Sequence, residues 1–212
     1  ADFLRQTAKS NGIPLTHAAL VLPSTEVFTR ELVMPAMTEQ QLLYNLPYEF
    51  RDYLTEEKNK YFFDYSMREV LRDESGQPTE MNLLACATLK STVESYRDML
   101  SREGFRLRVL TPSECAYSAV LQAYYRRTQQ EGRDLCVVNL GHSATFLYIY
   151  RGGHFASRRE IEVGMSDLEH LVADQCSVDV HVAHEYVRQN YNHVLESEQA
   201  RELYGHIAVE VV

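Results

Sequence analysis

Gly141-His142-Ser143-Ala144-Thr145 is the stretch of this 212-residue chain whose residue types could do chemistry in two ways. It comes within one residue of the GxSxG nucleophile elbow, where a sharp turn from a strand into a closely packed helix presents the serine. The last glycine of that pattern is Thr145 here, and Phe146-Leu147-Tyr148-Ile149-Tyr150 continues as strand formers. A nucleophilic Ser143 would lack its helix. The same residues fit a strand–turn–strand hairpin better. Such a turn aims backbone N–H groups and hydroxyls at an anion and can cradle a phosphate. Ordinary hairpin turns also use Gly and Ser, so spacing alone leaves both a phosphate hairpin and a plain turn open.

Three other groups invite a chemical reading. His181, His184 and Glu185 form HxxHE on an expected helix, which is neither HExxH nor HxxEH, and a third metal ligand would have to come from elsewhere. They read as surface or capping histidines. Cys86, Cys115, Cys136 and Cys176 contain no CxxC pair and read as small buried hydrophobes of a reducing compartment. Fourteen tyrosines and no tryptophan, with pairs such as Tyr124-Tyr125 and a string from Tyr61 to Tyr65, predict mostly half-buried rings with wet hydroxyls, and spacing leaves open whether some of the fourteen line a peptide groove. No metal site and no catalytic residue is assigned.

The elements that must position these residues follow from periodicity. The first 15 residues are helix-compatible and close on Asn11-Gly12; Ala18–Leu22 and Val27–Met34 read as two strands joined by a tight turn at Pro23-Ser24. Thr38-Glu-Gln-Gln41 is a capping box opening a helix that Pro47 should kink or interrupt. Tyr61–Leu71 and Glu80–Thr88 alternate as strands around the loop 73–78, with Met81, Leu83, Ala85 and Ala87 on one face. A helix over Ser91–Glu103, a strand over Phe105–Leu110 and a helix begun by Thr111-Pro-Ser-Glu114 and reaching about Gln130 follow. After the polar stretch 128–133 come strands at Asp134–Leu140, Thr145–Tyr150 and His154–Val163. Ser166-Asp-Leu-Glu169 then caps one helix, Ser177 a second, and a third begins near Ser197. The fold class is α/β (α+β), in two parts, with mostly antiparallel meanders.

Composition sets outer limits. Folding a chain of this size buries about 70% of its surface, so a core needs no staples. Lys and Arg number 21 against 30 Asp and Glu, for a net charge of −9, which repels phosphate backbones and anionic lipid. The pairs Arg126/Arg127 and Arg158/Arg159 have acids nearby, and nucleic acid is not an expected partner. The apolar run Ala18–Leu22 is far below the ~20 residues that span a bilayer, so direct membrane insertion is not expected. A start without Met and an apolar end at 207–212 suggest a piece of a longer protein. An unfinished sheet after Arg133 would expose an apolar face or edge and favour a homodimer or a swapped arrangement.

Beyond spacing, four stretches carry a family resemblance. Leu20-Val-Leu-Pro-Ser-Thr-Glu-Val-Phe-Thr-Arg-Glu-Leu-Val-Met-Pro35, Asn45-Leu-Pro-Tyr-Glu-Phe-Arg-Asp-Tyr53, Val137-Val-Asn-Leu-Gly-His-Ser-Ala-Thr145 and Arg158-Arg-Glu-Ile-Glu-Val-Gly164 occur in order along nearly the whole chain. The chain resembles the PilM family of actin-like type IV pilus assembly proteins. That resemblance implies residues 1–128 as an SHS2-type subdomain with an N-terminal helix, shared with the division protein FtsA. It implies residues 134–212 as part of an actin-like, ribonuclease-H-like subdomain. It further implies a non-enzymatic scaffold at the cytoplasmic face of the inner membrane that grips the cytoplasmic tail of a PilN-like protein and contacts other pilus assembly proteins. An FtsA-like membrane anchor of cell division is the alternative.

In this resemblance Gly141, His142, Ser143 and Thr145 are the phosphate-touching residues of the full-length protein. Asn139 stands at the metal position, where the family has Asp; a neutral amide adds no charge toward a hard cation. The family's Gly-Gly after the third strand is Gly164-Met165. ATP with Mg is left open for the full-length protein, including slow hydrolysis, and no cofactor is expected for this stretch.

Overall fold

The computed structural model describes residues 2–14, 16–130 and 132–211. They form two compact units divided between residues 116 and 117. The chain ends at 1 and 212, residue 15 of the first polar segment and residue 131 of the stretch 128–133 lie outside the described residues.

The first unit opens with α1 (Asp2–Ser10). Its larger sheet contains β2 (Phe28–Pro35), β3 (Tyr61–Arg72) and β4 (Pro78–Leu89) in the order β2-β4-β3, all antiparallel. The expected faces are present. Met81, Leu83, Ala85 and Ala87 of β4 are buried together with Leu32 and Met34 of β2 and Tyr61 of β3. They pack against Leu42, Leu46 and Phe50 on and just past α2 (Glu39–Glu49). Thr38 caps this helix as expected: its hydroxyl accepts the Gln41 N–H at 3.3 Å while Gln41 Oε1 accepts the Thr38 N–H at 2.9 Å. Pro47 stands in the last turn, so the helix stops two residues later instead of kinking midway.

The β3–β4 connection is fixed by Asp73, whose Oδ1 accepts the N–H groups of Ser75 and Gln77, both at 2.9 Å. The Ser75 hydroxyl, then the Gln77 amide, hold this carboxyl below its usual range. Gly76 takes φ +81°, a left-handed turn position that glycine occupies without strain.

Two strands leave the expected hairpin. β1 (His17–Leu22) pairs in parallel with β5 (Arg106–Pro112), whereas β2 pairs with β4. A turn at 23–26 can hand the chain to a different sheet as easily as fold it back. Partner choice went to matching apolar faces, Leu32 opposite Leu83 and Met34 opposite Met81. The parallel pair needs a long crossover, and it closes with α3 (Lys90–Arg102) followed by Gly104 at φ +87°. Thr111-Pro112 ends β5 instead of opening the next helix, so α4 (Ser113–Thr128) starts one residue beyond the proline.

In the second unit β6 (Leu135–Leu140), β7 (Thr145–Arg151) and β8 (His154–Ile161) form the expected antiparallel meander. Tyr117 of α4 lies 4.9 Å, ring to ring, from Tyr148 of β7. Tyr148 and Tyr150 are fully buried, not half-buried as expected. α5 (Met165–Cys176), α6 (Val180–Gln189), a 3-10 segment at 191–196 and α7 (Glu198–Val211) follow. Leu168, Val172, Ala183, Val187, Val194 and Ala200 form their shared core. β6 is an edge strand among the described residues, with Val138 and Leu140 exposed on it.

Three local expectations shift here. Gly164, not Ser166, is the N-cap of α5, and the Asp167 carboxylate accepts the Gly164 N–H at 2.8 Å. Glu169 is thereby carried into the helix body. Ser177 is the left-handed C-cap of α5, and Asp179 caps α6 by accepting the His181 N–H at 2.9 Å. Of the four free thiols, Cys86 and Cys115 are half-buried but Cys136 and Cys176 are exposed. Cys136 falls on the open side of β6 and Cys176 ends α5, where no neighbour covers them. No described helix is long and apolar enough to cross a membrane.

Candidate functional site

Asn139, Gly141, His142, Ser143 and Thr145 are brought to one end of the second unit's sheet by the β6–β7 hairpin. Gly141 N–H donates to the Ala144 carbonyl at 3.0 Å and closes the turn. A Cβ on Gly141 would stand 2.6 Å from that oxygen, so only glycine fits. The turn docks on the start of α5: the N–H groups of Met165 and Ser166 donate to the carbonyls of Gly141 (2.9 Å) and His142 (2.8 Å). Two donors of the helix N-terminus, the groups that usually attract an anion, are therefore spent on the hairpin itself.

The side chains divide by burial. His142 and Ser143 are exposed at the tip, while Asn139 and Gly141 are half-buried. Thr145 is fully buried, and its hydroxyl donates to the Val163 carbonyl at 2.7 Å. Ser143 is followed by β7, not by a helix, so the nucleophile-elbow geometry is absent. What remains for a phosphate is the hairpin tip. Asn139 brings a neutral amide to this end of the sheet.

Beside the tip lies a cluster that spacing did not reveal. Glu169, nearly buried, lies 2.8 Å from His184 Nδ1 and 3.9 Å from His142 Nδ1 through the same Oε1. His184 thus belongs to a carboxylate pair across α5 and α6. His181 supplies its backbone N–H to the cap, and Glu185 binds Arg188 at 2.7 Å. No described His, Cys, Asp or Glu residues form a group that could hold a metal ion. The sequence signal for Glu169 existed, an acid three residues past Ser166, but it had been spent on a cap.

The first unit holds a concavity of its own. A groove of about 450 Å³ is lined by Leu22, Val27, Val93 and Leu110 and by residues 62–66 of β3 with their β4 neighbours Leu84, Cys86 and Thr88. Such a volume with a mostly apolar lining is typical of ligand and peptide sites. Asp64 supplies the one charge among the lining residues. Cys86 and Cys115 also line it, and burial, then the Asp64 charge, pushes the Cys86 thiol up to about 12. The Cys115 thiol is raised by burial first and by Glu114 second. Neither is an activated nucleophile. Glu114, fully buried at the start of α4, accepts the Thr29 hydroxyl at 3.3 Å.

Comparison with known proteins places these features. No curated protein matches the sequence at a significant level. Among solved structures, the PilM-PilN type IV pilus biogenesis complex superposes with a TM-score of 0.78 at 16% identity, over 99% of this chain and 60% of that one. The cytoplasmic domain of EpsL, an inner-membrane component of the type II secretion system of Vibrio cholerae, gives 0.47 at 13% identity, over 80% and 59%. The ethanolamine utilization protein EutJ from Carboxydothermus hydrogenoformans gives 0.40 at 16%, over 51% and 38%. The chain thus spans 60% of the length of the protein it matches in the pilus complex and shares its mixed α/β fold. The family described as type IV pilus assembly protein PilM matches residues 1–196, and the chain belongs to that family.

Proposed function

We propose that this chain is an adaptor of type IV pilus assembly that holds the cytoplasmic tail of a PilN-like inner-membrane protein in the groove of its first unit. The carrying observation is that groove: about 450 Å³, mostly apolar in its lining, with a single charge. It suits the capture of a short extended peptide. The chain then sits at the inner face of the membrane through its partner and contacts further assembly proteins. Residues 1–128 serve as the SHS2-type, partner-binding part and residues 134–212 as part of an actin-like subdomain. The pilus role is preferred to the division role because the family that matches is a pilus one.

Fluorescence anisotropy with a labelled synthetic peptide of the PilN-like tail tests the reading. Ser66 is exposed at the groove wall, so Ser66→Trp fills the space without disturbing the core. The expected result is saturable binding that Ser66→Trp weakens by about tenfold, equivalent to about 1.4 kcal/mol. Absence of binding, or indifference to the tryptophan, refutes it.

The chain is proposed to be non-enzymatic. Spent α5 donors and a neutral Asn139 support that reading. Calorimetric titration of Mg-ATP is expected to show nothing tighter than about millimolar, since the hairpin supplies only part of a phosphate cradle. Micromolar binding would reverse this conclusion.

A further inference from the structure

Two of the four thiols share one cavity. Cys86 and Cys115 both line the groove of the first unit, whereas Cys136 and Cys176 are exposed residues of the second. Strand register puts Thr29, Cys86 and Asp64 side by side across β2, β4 and β3. Residues opposite one another in a sheet share a face, and all three of these line the groove.

The start of α4 is tied to that row. The Thr29 hydroxyl donates to the Glu114 carboxylate at 3.3 Å, and Cys115 is the next residue. Cys86 is thus one strand away from the residue that anchors the neighbour of Cys115. The electrostatics agree. Burial is the leading cause that raises both thiols; beyond it, the Asp64 charge acts on both, and the charge of Cys115 acts on Cys86. A Thr111 hydrogen bond and the Arg68 charge pull Cys115 alone the other way.

We propose that Cys86 and Cys115 form a redox pair, oxidised by a low-molecular-weight disulfide to one intramolecular disulfide that closes the groove. The chemistry balances as a two-step exchange. The Cys115 thiolate, favoured by Thr111 and Arg68, attacks one sulfur of oxidised glutathione and expels a first glutathione thiolate. Cys86 then gives its proton to solvent and attacks the Cys115 sulfur, expelling the second. Two protein thiols are oxidised, one small disulfide is reduced, and the two protons pass through solvent to the glutathione thiolates. Burial keeps both cysteines protonated near neutral pH, and the thiolate is the attacking form. The pair therefore stays reduced until oxidant is abundant, as a sensing disulfide of a reducing compartment does.

The full chain carrying Cys136→Ser and Cys176→Ser is incubated with oxidised glutathione at pH about 8.5, alkylated, and mapped by mass spectrometry without reduction. The expected result is the loss of two hydrogens, one peptide pair joined through Cys86 and Cys115, and reversal by dithiothreitol. A further Cys86→Ser change should leave Cys115 as a glutathione adduct, the trapped first step. Glutathione on both residues with no joined peptide, or no reaction of either thiol in the folded protein, overturns the proposal. Closure of the groove rests on the adaptor reading: the joined protein should bind the tail peptide about tenfold more weakly than the reduced one, and unchanged binding overturns closure. A reduced protein that binds no peptide refutes the adaptor reading alone, because the joined peptide pair is detected without any ligand.

Discussion

A Cβ on Gly164 would stand 2.3 Å from the carbonyl oxygen of His142 and 2.7 Å from the Ala144 nitrogen. Gly164 adopts extended backbone at φ −141°, so the constraint is close approach, not a left-handed conformation. The hairpin can rest on α5 because this position has no side chain. Gly164→Ala should therefore pry the turn off the helix and cost about 1–3 kcal/mol, the usual range for overpacking. Urea unfolding measures it. A change under about 0.5 kcal/mol would mean the turn can relax freely.

Thr145 tests whether this hairpin residue works for the fold. Its buried hydroxyl donates to the Val163 carbonyl at 2.7 Å. Thr145→Val keeps the shape and strands that carbonyl, for an expected loss of about 1–2 kcal/mol. A neutral result in thermal or urea unfolding would show that the bond contributes nothing.

Glu169 and His184 join α5 to α6 at 2.8 Å. Because His184 is about half exposed, water competes, and the coupling between Glu169→Gln and His184→Ala should be about 0.5–1 kcal/mol. The same cycle with His142→Ala, at 3.9 Å, should give a smaller value. Equal couplings would place both imidazoles on the carboxylate to the same degree.

Cys86 predicts a pH dependence. Burial first, and the Asp64 charge second, raise its thiol from 9.0 to about 12. Below pH 9 folded and unfolded chains both keep the proton, and the contribution to stability is fully present. Between pH 9 and 12 the unfolded thiol ionises while the folded one holds its proton, so stability falls as pH rises, by up to about 1.4 kcal/mol per unit. Cys86→Ala should flatten that decline relative to the parent protein. Parallel stability–pH curves would dismiss the effect.

Much of the second unit was readable in advance. Three successive strands, the turn at 141–144 and the helices after 164 follow from local signals, because a meander pairs neighbours in sequence. The β3–β4 hairpin was readable for the same reason: its loop contains its own instructions in Asp73 and Gly76. The β1–β5 pair was not. Residues 18–22 look like half of a hairpin, and only a partner some ninety positions away makes them parallel. Helix starts slipped where tertiary bonds supplied the cap: hairpin carbonyls claimed Met165 and Ser166 N–H groups and moved the start of α5 to Gly164.

The sequence by itself determined the class of fold, the burying face of β4, the site hairpin at 141–145, and the family kinship of its four stretches. Those depend on residue type and local period, which a linear string records. The tertiary structure decided which strands lie side by side, that Glu169 meets His184, and that residues 62–66 of β3 line a groove together with Leu22, Val93 and Leu110. Such relations depend on which distant surfaces exclude water together, and no local pattern encodes that choice.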